Sequence, residues 1–165
     1  MKKPLLLILM GVAGAGKTTI GTLLAREPGW AFYDGDDFHP QANIEKMRRG
    51  IALTDADRAA WLTALRQLIE RLLRDRQSAV IACSALKQAY RDRLRDQNAE
   101  VRFVYLKGDY ELIRQRLQAR RAHFMKTDLL ASQFDALEEP RDVLTIEAAQ
   151  EPETIVALIK QHFGL

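Results

Sequence analysis

The stretch Leu5-Leu6-Leu7-Ile8-Leu9-Met10-Gly11-Val12-Ala13-Gly14-Ala15-Gly16-Lys17-Thr18-Thr19 decides the reading of the chain. An unbroken apolar run leads directly into G-x-x-x-x-G-K-T over Gly11–Thr18. A buried strand, a glycine-rich turn and a helix start, in that order, are the context that a phosphate-binding loop requires. Gly11, Gly14 and Gly16 let backbone N–H groups curl around a phosphate where a Cβ would obstruct them, and Val12, Ala13 and Ala15 complete the loop. Thr18 and Thr19 begin a helix whose unpaired N–H groups and positive dipole end favour an anion. Lys17 is placed to reach the β- and γ-phosphates, and the Thr18 hydroxyl to ligate Mg²⁺. The stretch predicts a nucleotide site.

The whole chain sets limits on what surrounds that site. Its 165 residues suit one domain spanning 1–165, large enough to bury about 70% of the surface of its unfolded chain. A content of 47% hydrophobic and 28% charged residues describes an ordinary soluble globule. The net charge of +3 suits small anionic substrates, and with no basic block or aromatic-interleaved strand no nucleic-acid partner is expected. The lone cysteine, Cys83, excludes an intrachain disulfide and fits a reducing compartment. Lys2-Lys3 before the apolar run resembles the start of a signal peptide, but the run is short and continues into the glycine loop. No segment reaches the roughly 18 to 20 apolar residues that span a bilayer. A cytoplasmic protein without membrane contact is expected.

Strand-like runs recur at Leu5–Met10, Ala31–Tyr33, Ala79–Ala82, Val101–Leu106 and Val143–Ile146. Amphipathic stretches alternate with them at Asp57–Arg74, Lys87–Gln97, Tyr110–Arg120 and Glu153–His162. That alternation predicts an α/β fold with a parallel sheet covered on both faces. Ligands in such sheets bind beyond the carboxyl ends of the strands, so the chemistry is sought there.

The second run ends in Tyr33-Asp34-Gly35-Asp36-Asp37-Phe38-His39-Pro40. Asp34 and Asp36 are two apart and project to one side of an extended segment. Two carboxylates beside a triphosphate need something positive or a transferable proton, and Mg²⁺ with a substrate hydroxyl supplies both. Asp37 reads as a cap for the helix Gln41–Arg49. His39 reads equally as a core residue or a ligand. Asn43, Lys46 and Met47 share one face of that helix and suit a polyhydroxylated anion, although Lys46 is also explained by solvation and Met47 by packing. Thr54-Asp55-Ala56-Asp57-Arg58 offers a cap and first turn, ahead of the apolar stripe Trp61, Leu62, Leu65, Leu68, Ile69 and Leu72. Trp61 is read as packing. Arg58 opposes the helix dipole and so suggests an anion site.

Cys83 lies in an apolar flank and is read as a small buried hydrophobe, and Ser84 as a helix cap. Lys87 and Arg91, four apart, either are solvated or hold an acidic substrate. Arg116 and Arg120 share a face and repel unless an anion, such as a phosphoryl group in transfer, lies between them. The segment that follows breaks the strand–helix rhythm, as a mobile lid would.

Taken together, these residues resemble the gluconokinases, within the shikimate-kinase and nucleoside-monophosphate-kinase branch of P-loop kinases. The resemblance runs from about residue 8 to residue 141 and is carried by several blocks. They include Gly11–Thr18, Asp34-Gly35-Asp36 with His39-Pro40, Asn43-Ile44-Glu45-Lys46-Met47, and Leu53-Thr54-Asp55 with Asp57-Arg58. Trp61-Leu62, Cys83-Ser84-Ala85-Leu86-Lys87 with Tyr90-Arg91, Tyr105-Leu106-Lys107-Gly108, His123-Phe124, Ser132-Gln133 and Leu137-Glu138-Glu139-Pro140 complete them. Ala13 and Ala15 depart from a common serine, which removes only optional hydroxyls. The resemblance implies ATP-dependent phosphorylation of D-gluconate at its 6-hydroxyl, sheet order 2-3-1-4-5, a lid near 121–135 and a homodimer. It implies ATP at Gly11–Thr19, Mg²⁺ at Thr18 and Asp34, and catalytic roles for Lys17, Asp36, Arg116 and Arg120. Asp36, His39, Lys46, Arg58, Lys87 and Arg91 are the residues expected at the acceptor. The alternatives are a kinase of shikimate or a nucleoside monophosphate, or an ATP-binding switch without catalysis.

Overall fold

The first strand, β1 (Leu6–Met10), is buried at every position because it is central in the sheet and covered on both faces. In a strand successive side chains point to opposite faces, so its apolar run divides between two cores. Leu6, Ile8 and Met10 enter one core, and Leu7 and Leu9 enter the other. The computed structural model describes residues 2–119 and 127–165. Among these, β2 (Ala31–Asp34), β3 (Ala79–Ala82), β4 (Val101–Lys107) and β5 (Leu144–Glu147) complete a five-stranded sheet in the order β2-β3-β1-β4-β5. All the pairings are parallel, with Ile8 opposite Ile81 on one side and Phe103 on the other. The expected three-layer α/β fold and strand order are what the chain adopts.

The first core lies under α3 (Asp55–Arg74) and α4 (Gln88–Arg95), and the expected stripe from Trp61 to Leu72 faces it. Burial of each of these large side chains is worth about 1.5–3 kcal/mol, which fixes the pitch of α3 against the sheet. The second core lies under α1 (Lys17–Arg26), α5 (Tyr110–Ala119), α6 (Thr127–Ala136) and α7 (Pro152–Phe163). Thr54 accepts from the Asp57 N–H while the Asp57 carboxylate accepts from the Thr54 N–H. This reciprocal cap starts α3 at Asp55, in agreement with the cap and first turn read at Thr54–Arg58.

Two expected caps fall elsewhere. Asp34, not Asp37, caps the 3-10 turn Gly35–Phe38, through its carboxylate and the Asp36 N–H. Helix α2 (Gln41–Arg48) then begins at Pro40 without a side-chain cap. Ser84 does not cap α4 either. Lys87 holds the cap position, and the first N–H, of Gln88, donates to Glu138 Oε1 at 2.8 Å. A residue fifty positions away meets a need that local pattern assigns to a neighbour.

The 3-10 turn begins hard against β3. A Cβ on Gly35 would lie 2.4 Å from the Ala82 carbonyl oxygen, so only glycine lets the Asp34–Asp36 segment close over the strand ends.

Candidate active site

Strand β1 delivers the chain into the glycine loop, and Gly16 ends that loop at φ 103° as the cap residue of α1, a conformation that other residues adopt only with strain. No side chain caps α1 there, and its first residues, Lys17, Thr18 and Thr19, line the cleft, which suits an anion. Lys17 Nζ donates to the carbonyls of Gly11 and Val12, each at 2.9 Å, and braces the loop across its own mouth. Val12 and Ala15 are buried beneath the loop, whereas Ala13, Gly14, Gly16, Lys17, Thr18 and Thr19 line the cleft above it.

The cleft has a volume of about 490 Å³, within the range of small-molecule sites. Opposite the loop, β2 and the 3-10 turn present Asp34, Asp36 and His39. Thr18 Oγ1 donates to Asp34 Oδ2 at 3.4 Å, bringing two hard oxygen donors together at the head of α1. That donor set fits Mg²⁺, which favours few protein oxygens together with substrate phosphates. The Asp36 carboxyl opens into the cleft with its side chain 63% exposed. Protein mass around the cleft nevertheless raises its pKa from the usual carboxylate value, and Asp34 and Asp37 add to this while Lys17 opposes it.

His39 is the reverse case: its side chain is only 4% exposed. Burial, then the Arg58 charge, lower its pKa to about 4. The ring stacks on Trp61 at 4.4 Å between centroids, and Trp61 Nε1 donates to the Gly35 carbonyl at 2.7 Å. Trp61 packs, as expected, but it also lines the cleft and pins the acidic turn.

The cations expected at the acceptor divide into three groups. Arg58 lines the cleft, and its Nη1 donates to the Tyr90 hydroxyl at 3.3 Å. Lys46 and Lys87 are paired beside the cleft and do not line it: Lys46 Nζ lies 2.9 Å from both Asp57 carboxylate oxygens, and Lys87 Nζ lies 2.9 Å from Asp55. The same Asp55 oxygen accepts a short hydrogen bond from Tyr90. Arg91 is buried at 3% exposure and turned away, donating to the carbonyls of Ala85 and Glu138 at 2.7 Å each. It holds two loops together.

Arg116 is likewise engaged with backbone, through Gly14 and Ala15 of the loop at 3.3 and 3.4 Å and Ala148 at 2.6 Å. It joins the rear of the phosphate loop to the segment after β5. Arg120 and the first part of the expected lid, with His123, lie outside the described residues. Cys83 is buried, and burial pushes its thiol up to about 12, which disfavours the thiolate at this position. One contributor that spacing does not reveal is Gln133. From α6 its Oε1 accepts from the Ala13 N–H at 2.8 Å. A partner 120 residues from the loop leaves no periodic trace.

A glycine loop capping a helix, a hydroxyl–carboxylate pair beside it and a second carboxylate facing the same cleft define a P-loop phosphotransferase. The AAA domain family matches residues 6–144. The thermoresistant gluconokinase of Escherichia coli K12 is 46% identical over 91% of this chain and 88% of its own length. The gluconokinase of Gluconobacter oxydans 621H is 42% identical, over 98% and 92%. The crystal structure of a gluconokinase from Sinorhizobium meliloti 1021 superposes with a TM-score of 0.83 at 36% identity, over 99% of this chain and 98% of that one. The chain belongs to the gluconokinase family and is a kinase.

Proposed function

We propose that this chain transfers the γ-phosphoryl group of ATP to the 6-hydroxyl of D-gluconate. The observation that carries the reading is the single cleft in which Lys17 and Thr18 face Asp36, with Arg58 on the acceptor side. The names of its relatives supply gluconate as the acceptor.

Phosphoryl transfer asks for positioning and charge stabilisation more than for covalent chemistry. The loop N–H groups and the first turn of α1 hold the phosphates, and Lys17 exchanges its loop carbonyls for phosphate oxygens. Thr18 and Asp34 would hold Mg²⁺, which would supply charge neutralisation on the phosphates. Asp36 accepts a hydrogen bond from the attacking hydroxyl, and its raised pKa makes it a better proton acceptor than an ordinary carboxylate. Arg58 meets the acceptor carboxylate, and Lys87 lies behind it. Arg116 and Arg120 are assigned to stabilising transition-state charge, which for Arg116 requires leaving the carbonyls of Gly14, Ala15 and Ala148. The lid proposed for 121–135 takes in α6 as far as Asp135, and from α6 Leu129, Ser132 and Gln133 line the cleft.

The test is ADP release, coupled to a spectrophotometric readout, with gluconate, shikimate, AMP or no acceptor. Acceptor-dependent release with gluconate alone is expected. Equal release without acceptor would make the chain an ATP switch or hydrolase, and release with another acceptor would reassign the substrate. Among the described residues no helix is long and apolar enough to cross a membrane, which is compatible with the proposed cytoplasmic location. The proposed homodimer is checked by sedimentation at micromolar concentration.

A further inference from the structure

Asn43, on α2, is one of two polar or charged residues among the buried set of the described chain, with 3% of its surface exposed, and it does not line the cleft. Its Nδ2 lies 2.8 Å from the Asp57 carbonyl oxygen and 3.2 Å from His39 Nδ1. A carbonyl only accepts, so the amide atom facing Asp57 is the NH₂ group, and this contact sets the amide orientation. The other hydrogen of that NH₂ points at His39 Nδ1. Nδ1 therefore presents its lone pair, and the single proton of the neutral ring is carried by Nε2. The ring has little freedom to do otherwise, being stacked on Trp61 at an interplanar angle of 12°.

Nε2 lies 4.0 Å from Asp36 Oδ1. That is too far for a direct hydrogen bond, but one hydroxyl oxygen at about 2.8 Å from each atom bridges it. An O–H group suits such a gap, because it gives its proton to the carboxylate and takes the imidazole N–H on a lone pair. A carboxylate is repelled by Asp36, and an ammonium has no lone pair for Nε2–H.

We propose that Asn43 is a positioning residue that fixes His39 as its Nε2–H tautomer, and that His39 with Asp36 forms a donor–acceptor pair selecting one hydroxyl of a polyol acceptor. The second half of this rests on the sugar-acid kinase reading given above. The lowered pKa of His39 agrees with it, since a neutral ring keeps Nδ1 free to accept.

Long-range ¹H–¹⁵N spectra of the intact protein near neutral pH decide the tautomer. The chain has three histidines, and His39→Phe assigns the signal by its loss. A protonated Nε2 with an unprotonated Nδ1 is expected, and a protonated Nδ1 overturns the assignment. Asn43→Asp turns the amide donor into an acceptor, so His39 should move to Nδ1–H or to the imidazolium, an effect that lost packing alone does not produce. His39→Phe keeps a ring on Trp61 and removes the donor. Its KM for gluconate should rise about ten-fold, the loss of one hydrogen bond, with the KM for ATP little changed. His39→Gln, which restores an N–H donor, should recover part of that loss. A folded His39→Phe enzyme with wild-type KM and kcat for gluconate overturns the donor role while wild-type turnover upholds the kinase reading. A wild-type enzyme inactive on gluconate overturns that reading instead, and the spectrum still decides the tautomer.

Discussion

Gln133 Oε1 accepts a hydrogen bond from the Ala13 backbone N–H at 2.8 Å, tying α6 to the phosphate loop. The contact makes the side chain a brace on the loop at the point where the phosphates dock. Gln133→Ala removes the brace, and the KM for ATP should rise about three- to ten-fold, as for the loss of one hydrogen bond, with a smaller change for gluconate. Gln133→Glu places a carboxylate beside the triphosphate and should be the worse of the two. Steady-state kinetics with each substrate varied in turn decides this, and a wild-type ATP KM in Gln133→Glu would rule the brace out.

Asp36→Asn keeps the shape of the acidic turn, because the turn is capped by Asp34 and not by Asp36 itself. ATP binding should therefore survive, while loss of the proton acceptor lowers kcat by about 10²- to 10⁴-fold. Lys17→Met should lose both, since Lys17 braces the loop as well as facing the phosphates. Nucleotide titration alongside single-turnover kinetics separates the two cases. Undiminished turnover in Asp36→Asn would remove the base assignment.

The strands and the cleft were legible because β1 is an uninterrupted apolar run and the glycine loop follows it without a gap, whereas the strand order came only from the resemblance to the gluconokinases. The stripe from Trp61 to Leu72 likewise carries the period of a buried helix face. What spacing does not disclose is which cations face inward. Arg58, Lys87 and Arg91 were all candidates for an anion, yet their partners sort them: Tyr90 for the first, Asp55 for the second and the carbonyls of Ala85 and Glu138 for the third. The roles of Asn43 and Gln133 were hidden for the same reason. A hydrogen bond between segments brought together only by the fold has no signature in either segment.

That sorting yields a contrast between two arginines. Arg91→Met leaves buried carbonyls of Ala85 and Glu138 without a donor, so it should destabilise the fold by about 2–4 kcal/mol. At about 2–4 °C per kcal/mol for a chain of this size, Tm should fall by roughly 4–16 °C. Arg58→Ala leaves a half-buried site next to the cleft and should change Tm little, while raising the gluconate KM at least about ten-fold. Thermal melts and acceptor kinetics on both variants test the pair. A stable Arg91→Met enzyme with a gluconate defect would return Arg91 to the acceptor site.

The buried imidazole of His39 also sets a pH dependence of stability whose sign can be worked out. Its folded pKa, about 4, lies below the unfolded value of 6.5. Between these two values the unfolded chain binds a proton that the folded chain refuses, so stability falls as pH drops through that window, by at most about 1.4 kcal/mol per pH unit. Asp36, raised by its surroundings, acts in the opposite sense, because there the folded chain takes up the proton first. Asp57, held down to about 2 chiefly by Lys46, keeps its contribution above pH 4 and loses it only from about 4 to 2. The His39 window is thus separate from that of Asp57 and is isolated from Asp36 by comparison with a variant. Wild type and His39→Phe should both be melted across pH 7 to 4.5. The wild-type Tm should decline relative to the variant as pH falls, because phenylalanine binds no proton in either state. Parallel profiles would mean that the imidazole takes up its proton as readily in the folded chain as in the unfolded one, contrary to its burial against Trp61.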